Sequence, residues 1–321
     1  MTRLLHLGNV VMDLTLNVPF WPERGADVLA AASRVSAGGG FNVLAAAARQ
    51  GLRAAYAGAH GRGPFADLAG AALAAEGIEV LLPPRPGPDT GVVIAVVDGG
   101  GERTFLTAPG AEASLGAGDL AAVTAAPGDI VYLSGYSLAR PASRAALLDW
   151  LAGPGPASNL VVFDPGPLAD QIPAPALAAV LARADWLTCN AREAAILSGG
   201  RDPLAAARVL AARPPGRGVI VRTGPGGCFL SQGGGEPAAI PGFAVRAIDA
   251  NGAGDAHAGV FIAGLARGAT PAEAARRANA AAALAVTRAG PAAAPTAAEL
   301  ERFLDRAACP GQQRPDEQAP G

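Results

Sequence analysis

The run Asp249-Ala250-Asn251-Gly252-Ala253-Gly254-Asp255 is the stretch of sequence that decides the fold and the chemistry of this chain. It follows an alternating apolar segment, residues 243–248, which predicts a strand, and it opens an apolar helical pattern at 256–266. A glycine turn between strand and helix directs several backbone N–H groups at one point, where the helix dipole adds partial positive charge. Asp255 falls in the first helical turn, where a carboxylate can accept a proton from a hydroxyl. An anion site beside a base is typical of phosphoryl-transfer enzymes.

The tetrapeptide Gly-Ala-Gly-Asp occurs twice in the chain, and only its context separates the two copies. The first copy, residues 116–119, follows a loop-like segment, and Asp119 there is interpreted as a helix N-cap. The second copy, which ends at Asp255, is the one with a predicted strand before it and a long apolar helix after it. We therefore expect the anion site at the second copy.

Length and composition favour one large α/β domain, with or without a small appendage. The chain has 321 residues, of which 50% are hydrophobic and 16% charged, so it can bury a sizeable core. A net charge of -2 gives no electrostatic basis for binding nucleic acid or a membrane surface. No apolar run reaches the ~18 residues of a membrane span, and Asp13 interrupts the N-terminal stretch too early for a signal peptide. Cys189, Cys228 and Cys309 have no metal-type spacing and form no even disulfide set, which favours a reducing cytoplasm.

Lysine is absent from the chain, and all 25 basic residues are arginine. A P-loop ends in Lys followed by Ser or Thr, and Schiff-base catalysis needs a lysine amine, so both are excluded. A GC-rich genome accounts for the bias, since it favours the codons of Arg, Ala, Gly and Pro. Whatever its origin, any phosphate group bound here must be held by backbone N–H groups, by arginine or by a metal ion.

Strand-like and helix-like segments alternate from the first residues to about residue 307. Apolar runs predict buried strands at 4–8, 54–58, 130–134, 160–164, 186–189 and 219–223. Ala-rich patterns between them predict helices that include 41–50, 141–151, 203–212 and 271–287. This alternation favours a parallel sheet with helices on both faces, in which ligands bind beyond the carboxyl ends of the strands.

Two early stretches break the alternation. Residues 14–18 and 27–35 flank a polar loop, and residues 91–98 and 102–107 flank three glycines that are a hairpin signal. They predict a small separate sheet that serves as a lid. The tail from Cys309 is rich in Pro, Gln and Gly, which predicts disorder over 309–321.

Two segments near the N-terminus are candidates for substrate contacts. Three successive glycines, Gly38 to Gly40, precede an Ala-rich helix and let the backbone approach a ligand closely. Asn42 can offer a donor and an acceptor to a hydroxyl, or it can act as the helix N-cap. Asp13 ends the first strand region, where it can accept two substrate hydroxyls or serve as a turn residue.

Two later segments allow both a functional and a purely structural interpretation. Asn190 follows a predicted strand and can cap the next helix, with Glu193 completing a capping box. Alternatively, Glu193 orients water on Mg²⁺. Thr223, Gly224 and Gly227 join two strand-like runs and can form a simple turn.

Taken together, these motifs resemble those of the ribokinase-like, or PfkB-type, family of carbohydrate kinases, over nearly the whole chain. The segment from Ala37 to Asn42 matches the N-terminal signature of that family, and the run from Asp249 to Asp255 matches its C-terminal signature. The resemblance implies a three-layer α/β sandwich with a mostly parallel central sheet and a small β-sheet lid. It implies a kinase domain over residues 1–308, with the lid formed from about 14–35 and 91–107.

The resemblance also implies roles for residues of the two signatures. Asp255 is the expected general base that takes the proton from the accepting hydroxyl. The backbone N–H groups of Gly252, Ala253 and Gly254 are the expected anion hole for the transferring phosphoryl group. The positions that match sugar contacts are Asp13, Gly38, Gly39 and Asn42.

ATP and Mg²⁺ are the cofactors that the resemblance implies. Asn190 and Glu193 match the Asn-x-x-Glu motif of the family, which positions phosphate and, indirectly, Mg²⁺. Relatives also bind K⁺ through the loop of Asp249, which makes that residue a candidate K⁺ ligand, although Ala294 stands where a serine is expected. The lid implies a homodimer contact. The positions that match ATP contacts are Asn190, Thr223, Gly224, Gly227 and Asn279.

The chain departs from the ribokinases of this family at two positions. Val11 stands where they carry Asn, and Gly39 stands where they carry Lys, which argues against ribose-specific contacts and against a phosphorylated sugar held by lysine. The expected reaction is transfer of the ATP γ-phosphate to a primary hydroxyl of an unphosphorylated sugar or sugar-like molecule. Specificity is expected to depend on residues that no motif fixes, namely Asn9, Phe105, Tyr136 and His257.

Three other functions would share some of these sequence features. A nucleoside kinase of the same fold would carry the same motifs. A non-catalytic relative that binds a sugar or a nucleotide would also keep the fold, although the intact Asp255 argues against it. A dinucleotide-binding oxidoreductase is disfavoured, because its turn would need a third glycine where His257 stands and would come early in the chain.

Overall fold

The computed structural model of the chain describes residues 2–153, 158–213 and 218–308. The tail from Cys309 lies outside the described residues, so its disorder stays a prediction. Within those ranges, no helix combines the length and the apolar character needed to cross a bilayer.

The described chain forms two β-sheets. In chain order the strands are β1 (Arg3–His6), β2 (Val10–Asn17), β3 (Ala32–Gly39), β4 (Arg53–Tyr56), β5 (Glu79–Val80), β6 (Val92–Val97), β7 (Arg103–Ala108), β8 (Ile130–Ser134), β9 (Leu160–Asp164), β10 (Trp186–Asn190), β11 (Gly218–Arg222), β12 (Gly227–Ser231) and β13 (Ala238–Pro241). The central sheet has the order β13-β12-β11-β10-β9-β8-β1-β4-β5. It is parallel from β11 to β5, and β12 pairs antiparallel with both β11 and β13.

Helices cover both faces of the central sheet and complete a three-layer sandwich. In chain order they are α1 (Gly40–Arg49), α2 (Pro64–Ala75), α3 (Ala117–Ala121), α4 (Gly135–Ala139), α5 (Pro141–Ala152), α6 (Ala174–Arg183), α7 (Ala191–Ser198), α8 (Pro203–Ala211), α9 (Ala253–Ala266), α10 (Pro271–Val286) and α11 (Ala297–Ala308). Alternate strand residues face opposite sides, so Leu5 belongs to the core that α3, α5, α6 and α8 cover, while Leu4 belongs to the core that α1, α2, α9 and α10 cover. The predicted α/β architecture is confirmed, with element ends within about two residues of the predicted ones.

The second sheet is small and has the order β3-β2-β6-β7. Its strands overlap the segments predicted for a lid, but β2 begins earlier than expected, at Val10, and β3 covers Ala32–Gly39 rather than 27–35. The expectation that Asp13 ends a strand is therefore wrong, since Asp13 lies mid-strand and pairs with Ser36 and Val93. The period-2 pattern simply continues through it, because the apolar side chains at Leu14 and Leu16 belong to the opposite face of the sheet.

The strand predicted at residues 243–248 is absent, although it was part of the case for the glycine turn. The central sheet ends at β13, and the following segment runs over α10 and α11 instead. There the Phe243 ring packs against Phe303 and beneath the guanidinium of Arg276. The backbone N–H groups of Ile248 and Asp249 donate to the carbonyl of Val286. Phe243 is therefore partly buried by helices rather than by a neighbouring strand, while Ile248 is 68% exposed, and a periodicity of two does not distinguish this arrangement from a strand.

The first Gly-Ala-Gly-Asp copy also differs from its prediction. Helix α3 begins at Ala117, with Gly116 as the N-cap, so Asp119 is not the N-cap but the third helical residue. Its carboxylate accepts the backbone N–H of Gly116 at 2.7 Å and pairs with Arg85. This copy has a structural role, since its acidic side chain is already bound to the N-terminus of its own short helix and to Arg85.

Helices α1 and α9 approach each other closely, and this contact positions the site. A Cβ atom at Gly259 of α9 would lie 2.5 Å from the carbonyl oxygen of Val43 and 2.6 Å from Cβ of Ala46. Only glycine at residue 259 leaves room for the backbone of α1 at this distance. The two helices can therefore bring their N-terminal turns together.

Candidate active site

The carboxyl ends of neighbouring parallel strands place polar side chains along one edge of the central sheet. Ser134, Asp164, Asn190 and Arg222 are the last residues of β8, β9, β10 and β11, respectively. The register pairs Ser134 with Asp164 and Asn190 with Arg222. Helix α9 begins beside the same edge, because Gly254 lies next to the Arg222 guanidinium.

A cavity of about 530 Å³ lies between this edge and the inner face of the small sheet. Of the sugar-contact positions that the sequence predicted, Asp13, Gly39 and Asn42 line it together with the predicted base, Asp255. Among the predicted specificity residues, Asn9, Phe105 and Tyr136 also line it, whereas His257 does not. His257 is buried in α9 and shares a hydrogen bond of 3.1 Å with Asn279.

Asp255 and Asn42 meet in this cavity although they are far apart in the chain. The side-chain amide of Asn42 donates to Oδ2 of Asp255 at 2.9 Å. Asn42 lies inside α1, whose N-cap is Gly39, so the interpretation of Asn42 as the N-cap is wrong. The side chain is free to hold Asp255 because the helix end needs no side-chain cap.

Two carboxylates in the cavity have raised pKa values. Burial of Asp255 raises its pKa to about 6; the negative charges of Asp164 and Asp13 act in the same direction, while the Asn42 hydrogen bond and Arg222 oppose them. Burial likewise raises the pKa of Asp13 to about 6. A carboxylate with a pKa near neutrality is a stronger base than an ordinary aspartate, which suits proton abstraction from a hydroxyl.

The glycines of the N-terminal signature have separate physical reasons. A Cβ at Gly38 would stand 2.1 Å from Oδ2 of Asp13, so glycine leaves the space that this carboxylate fills. Gly39 has φ +60°, and a Cβ there would stand 2.7 Å from the carbonyl oxygen of Asn9. Gly38 therefore acts through Asp13, whereas Gly39 forms part of the cavity wall itself.

The glycine turn before α9 presents backbone donors as its sequence predicted. Gly252 is the N-cap with φ +75°, a left-handed conformation that glycine favours. In the described part of the chain, the N–H groups of Gly252 and Gly254 donate no hydrogen bond, whereas Ala253 reaches the carbonyl of Ala250 at 3.4 Å. The free N–H groups lie at the positive end of α9, beside Asp255, and can accept an anion.

Asn190 and Glu193 form the capping box that the sequence allowed. Asn190 Oδ1 accepts the backbone N–H of Glu193 at 2.9 Å, and the Glu193 carboxylate accepts the backbone N–H of Asn190 at 2.8 Å. Burial of Glu193 and the nearby charge of Asp164 raise its pKa, while the positive charge of Arg222 lowers it. The structural interpretation is confirmed. Glu193 and Asp164 together form an acidic edge beside the capping box, which is compatible with a divalent cation.

Three of the residues predicted for ATP contacts, Thr223, Gly224 and Gly227, form a turn after β11. Thr223 follows β11, and its backbone N–H and hydroxyl both donate to the carbonyl of Gly227, at 2.8 and 3.1 Å. Gly224 and Gly227 have positive φ angles of +65° and +92°. Asn279 is buried and donates to the carbonyls of Ile240 and Pro241, at 3.0 and 3.1 Å. The turn therefore exists, with Asn279 holding β13 from behind.

The Asp249 carboxylate, the candidate K⁺ ligand, is already engaged. Oδ1 accepts from the Arg103 guanidinium at 2.7 Å and from the N–H of Asn251 at 2.8 Å, and Oδ2 accepts from the N–H of Gly290 at 3.0 Å. Burial would raise the pKa of Asp249, but these backbone hydrogen bonds and the charge of Arg103 hold it below its usual value. The carboxylate of Asp249 is therefore not available to K⁺, and a K⁺ site on the backbone oxygens of this loop stays a prediction.

Arg103 and Arg34 also tie the small sheet to the body of the protein. Arg103 belongs to β7 and Arg34 to β3, the two edge strands of the small sheet. Arg34 donates to the carbonyl of Ala289 at 2.9 Å, next to the Gly290 segment that Asp249 holds. Both contacts were missed from the sequence, because nothing in a strand of a lid indicates which distant loop it will reach.

Asp164 and Arg222 are the other residues that the sequence interpretation missed. Arg222 donates to Asp164 at 2.9 Å, and both side chains are largely buried beside Glu193. Two signals were available: each residue falls at the carboxyl end of a predicted strand, and a chain without lysine must use arginine for phosphate. Neither signal singles out Arg222 from the other arginines without the fold.

Comparison with known proteins gives a consistent answer. The model of the pfkB family carbohydrate kinases matches residues 1–297. The chain is 33% identical to an uncharacterized sugar kinase, YegV, of Escherichia coli, covering 92% of each chain. It is also 33% identical to an ATP-dependent ribose-1-phosphate kinase of Halopiger xanaduensis, covering 95% of this chain and 98% of the relative. A fructokinase from Vibrio cholerae, solved with fructose, ADP and calcium, is 26% identical with a TM-score of 0.78, covering 95% of this chain and 99% of that one. From its two signatures, its fold and these similarities, the chain belongs to the pfkB family of carbohydrate kinases.

Proposed function

We propose that this sugar kinase transfers the γ-phosphoryl group of ATP to a primary hydroxyl of an unphosphorylated sugar or sugar-like molecule bound in the cavity. The observation that carries the proposal is a set of unpaired acceptors beside the base. In the described part of the chain the carboxylate of Asp13 makes no hydrogen bond, and the buried Oδ1 atoms of Asn9 and Asn42 have no partner. Buried acceptors are costly when unpaired, so a ligand rich in hydroxyl donors fits this cavity.

The transfer follows from the arrangement around Asp255. Asn42 orients the carboxylate, which takes the proton of the attacking hydroxyl. At the same time the γ-phosphoryl group moves from ATP to that oxygen, and ADP is left. The free N–H groups of the glycine turn stabilise the negative charge on the phosphoryl oxygens. Asp13 accepts hydrogen bonds from other hydroxyls and so fixes the sugar in the cavity.

ATP and Mg²⁺ fit the acidic edge next to the glycine turn. Glu193 and Asp164 present two carboxylates against the single charge of Arg222, which leaves an excess negative charge that suits a divalent cation. Glu193 and Asn190 would hold Mg²⁺ indirectly, and the bound ion would neutralise charge on the phosphates. The turn of Thr223, Gly224 and Gly227 and the region of Asn279 would contact ATP.

An ADP-release assay over a panel of sugars, sugar acids and nucleosides tests this proposal. We expect turnover with a small sugar or sugar-like substrate and formation of its phosphate ester on a primary carbon, detected by mass spectrometry and NMR. Preferential turnover of nucleosides would favour the nucleoside kinase alternative. Binding of a sugar without ADP release across the whole panel would instead favour a non-catalytic relative and contradict the proposal.

The pH dependence of kcat/KM should have an acid limb near pH 6. Asp255 must be deprotonated to act as a base, and its pKa is about 6, so activity is lost as the pH falls through that value. Asp13 titrates in the same range, which should make the limb steeper than for one proton. In wild type the Asn42 hydrogen bond favours the charged carboxylate and lowers the pKa of Asp255. The Asn42→Leu variant loses this bond, so its acid limb should move to higher pH. An unshifted limb near pH 4 in both proteins would contradict this assignment.

Activity should not require K⁺. The Arg103 guanidinium already supplies a positive charge to Asp249 and so orders the loop that leads into the glycine turn. Replacing K⁺ by tetramethylammonium at constant ionic strength should leave kcat of the wild-type enzyme unchanged. The Arg103→Ala variant should lose activity, and K⁺ should restore part of it. Strong activation of the wild-type enzyme by K⁺ would show that a cation site exists elsewhere on this loop.

The outer face of the small sheet supports a homodimer. Apolar side chains alternate on the face turned away from the cavity, and two of them are about half exposed, Val35 at 51% and Leu106 at 53%. A second copy of the chain would bury this face. Light scattering should give the mass of a dimer for the wild-type protein and of a monomer for Leu106→Asp. A monomeric wild-type protein at micromolar concentration would contradict the dimer.

The remaining expectations concern the surroundings of the protein. Cys189 and Cys228 are buried free thiols, which supports a reducing cytoplasm. The proposed substrate is a small molecule, and the net charge of -2 supports neither nucleic acid nor a membrane surface as a partner.

A further inference from the structure

Arg222 has an arrangement of donors that its ion pairs do not explain. Its Nη1 donates to Oδ2 of Asp164 at 2.9 Å and to the hydroxyl of Thr188 at 2.7 Å. Its Nη2 lies 3.6 Å from Oε2 of Glu193, too far for a hydrogen bond. In the described chain, neither Nε nor Nη2 donates a hydrogen bond. One edge of the guanidinium is thus fixed and the other is free.

The turn that opens α9 packs over the flat face of the guanidinium, next to this free edge. A Cβ built on Gly254 would stand 3.5 Å from both Cζ and Nη2 of Arg222, and 3.7 Å from Nε. Because these three distances are nearly equal, Gly254 lies above the plane of the guanidinium, and the free Nε–H and Nη2–H groups open sideways, beside the N–H groups of the glycine turn. Parallel Nε–H and Nη2–H groups match two oxygens of a phosphoryl group, which is the geometry in which arginine binds phosphate most strongly.

The charge of Arg222 is secured in this position. Its side chain is only 13% exposed, and those of Asp164 and Glu193 are 11% and 4% exposed. Burial would lower the pKa of Arg222, but the two carboxylates hold it above its ordinary value, so the guanidinium stays charged. A buried cation held by neighbours is preorganised, and it needs no rearrangement as charge develops during transfer.

We propose that Arg222 is a catalytic residue whose Nε and Nη2 bind the phosphoryl group during its transfer, beside the backbone donors of the glycine turn. The inference rests on the proposed function and adds the arginine that a chain without lysine needs for phosphate. As the phosphoryl group moves, its bond to the ADP oxygen breaks and its bond to the sugar oxygen forms. The hydroxyl proton passes to Asp255. Arg222 forms no covalent bond and gives up no proton.

The alternative is that Arg222 only bridges two buried carboxylates. Removing it alone would leave Asp164 and Glu193 facing each other without a counter-charge, which can unfold the protein. The test therefore uses Arg222→Lys, which keeps the charge but loses the two-donor edge, and the double variant Arg222→Gln with Asp164→Asn, which removes one charge of each sign and is compared with Asp164→Asn alone. Arg208→Gln is the matched control, because Arg208 is an exposed arginine that is 53% accessible.

Arg222→Lys should fold and bind ADP with near wild-type affinity, yet lose kcat by about 10²- to 10³-fold. The double variant should fold and show a loss of the same size relative to Asp164→Asn. Affinity for ADP with aluminium fluoride, which mimics the transferring group, should fall in parallel with kcat, as measured by calorimetry. A purely structural role would not produce that selective loss. Arg208→Gln should behave as wild type in every assay.

The proposal is overturned if Arg222→Lys retains the full kcat of wild type. It is also overturned if the double variant binds the aluminium fluoride complex as tightly as Asp164→Asn does. Failure of the proposed function gives a different result. In that case the wild-type protein itself releases no ADP with any member of the substrate panel, whatever the variants do.

Discussion

The Asp255→Asn variant should be nearly inactive while keeping its fold and its affinity for ATP. Asparagine has the shape of aspartate and can still accept the hydrogen bond from Asn42, but it cannot take a proton. Loss of a general base costs about 10²- to 10⁴-fold in rate. We expect a decrease of that size in kcat, measured by coupled ADP release, with unchanged ATP binding by calorimetry.

The control for this variant is Asp67→Asn. Asp67 is an exposed aspartate on α2, outside the cavity, so its replacement removes the same charge without touching the site. Its kcat and melting temperature should equal those of wild type. Near wild-type turnover of Asp255→Asn would remove the base from the proposed mechanism.

The Gly252→Ala variant should have the second-largest effect, through the backbone rather than a side chain. Gly252 has φ +75°, and a Cβ there would stand 1.8 Å from the carbonyl oxygen of Pro291. The turn must shift to accommodate it, which displaces the N–H donors beside Asp255. Loss of one such donor costs about 10²- to 10³-fold in kcat, so we expect a decrease of that order with little change in the KM of the sugar.

Gly268→Ala separates this clash from the general cost of a left-handed alanine. Gly268 follows the far end of α9 with φ +79°, and nothing lies within 4 Å of its hypothetical Cβ. It should lose about 1–2 kcal/mol of unfolding free energy and keep its kcat. Equal kinetics of the two variants would show that the Pro291 contact does not position the anion site.

Much of the fold was predictable because the hydrophobic pattern is local. Buried strands such as β8 and β9 are continuous apolar runs, and their ends agree with the sequence prediction. The failure at 243–248 has the opposite cause. There Phe243 packs on α10 and α11 while Ile248 is exposed, and a one-dimensional pattern does not identify the partner that buries a side chain.

The candidate site was predictable only in part. Motif positions indicated Asp13, Asn42 and Asp255, and the fold brings all three to one cavity. Their distances depend on the α1–α9 contact at Gly259, which no motif marks. The network around Arg222 was also invisible, because each member ends a different strand and only the parallel order of the sheet makes them neighbours.

The sequence by itself determined which chemical groups are available. It set a glycine turn followed by an acid, a second polar glycine signature upstream, and arginine as the only strong cation. The tertiary structure alone decided which arginine meets which acid: Arg103 reaches Asp249 across 146 residues, and Arg222 reaches Asp164 across 58. Local patterns follow from the backbone and its nearest neighbours, whereas these charge pairs follow from the packing of whole layers, which buries them and fixes their partners.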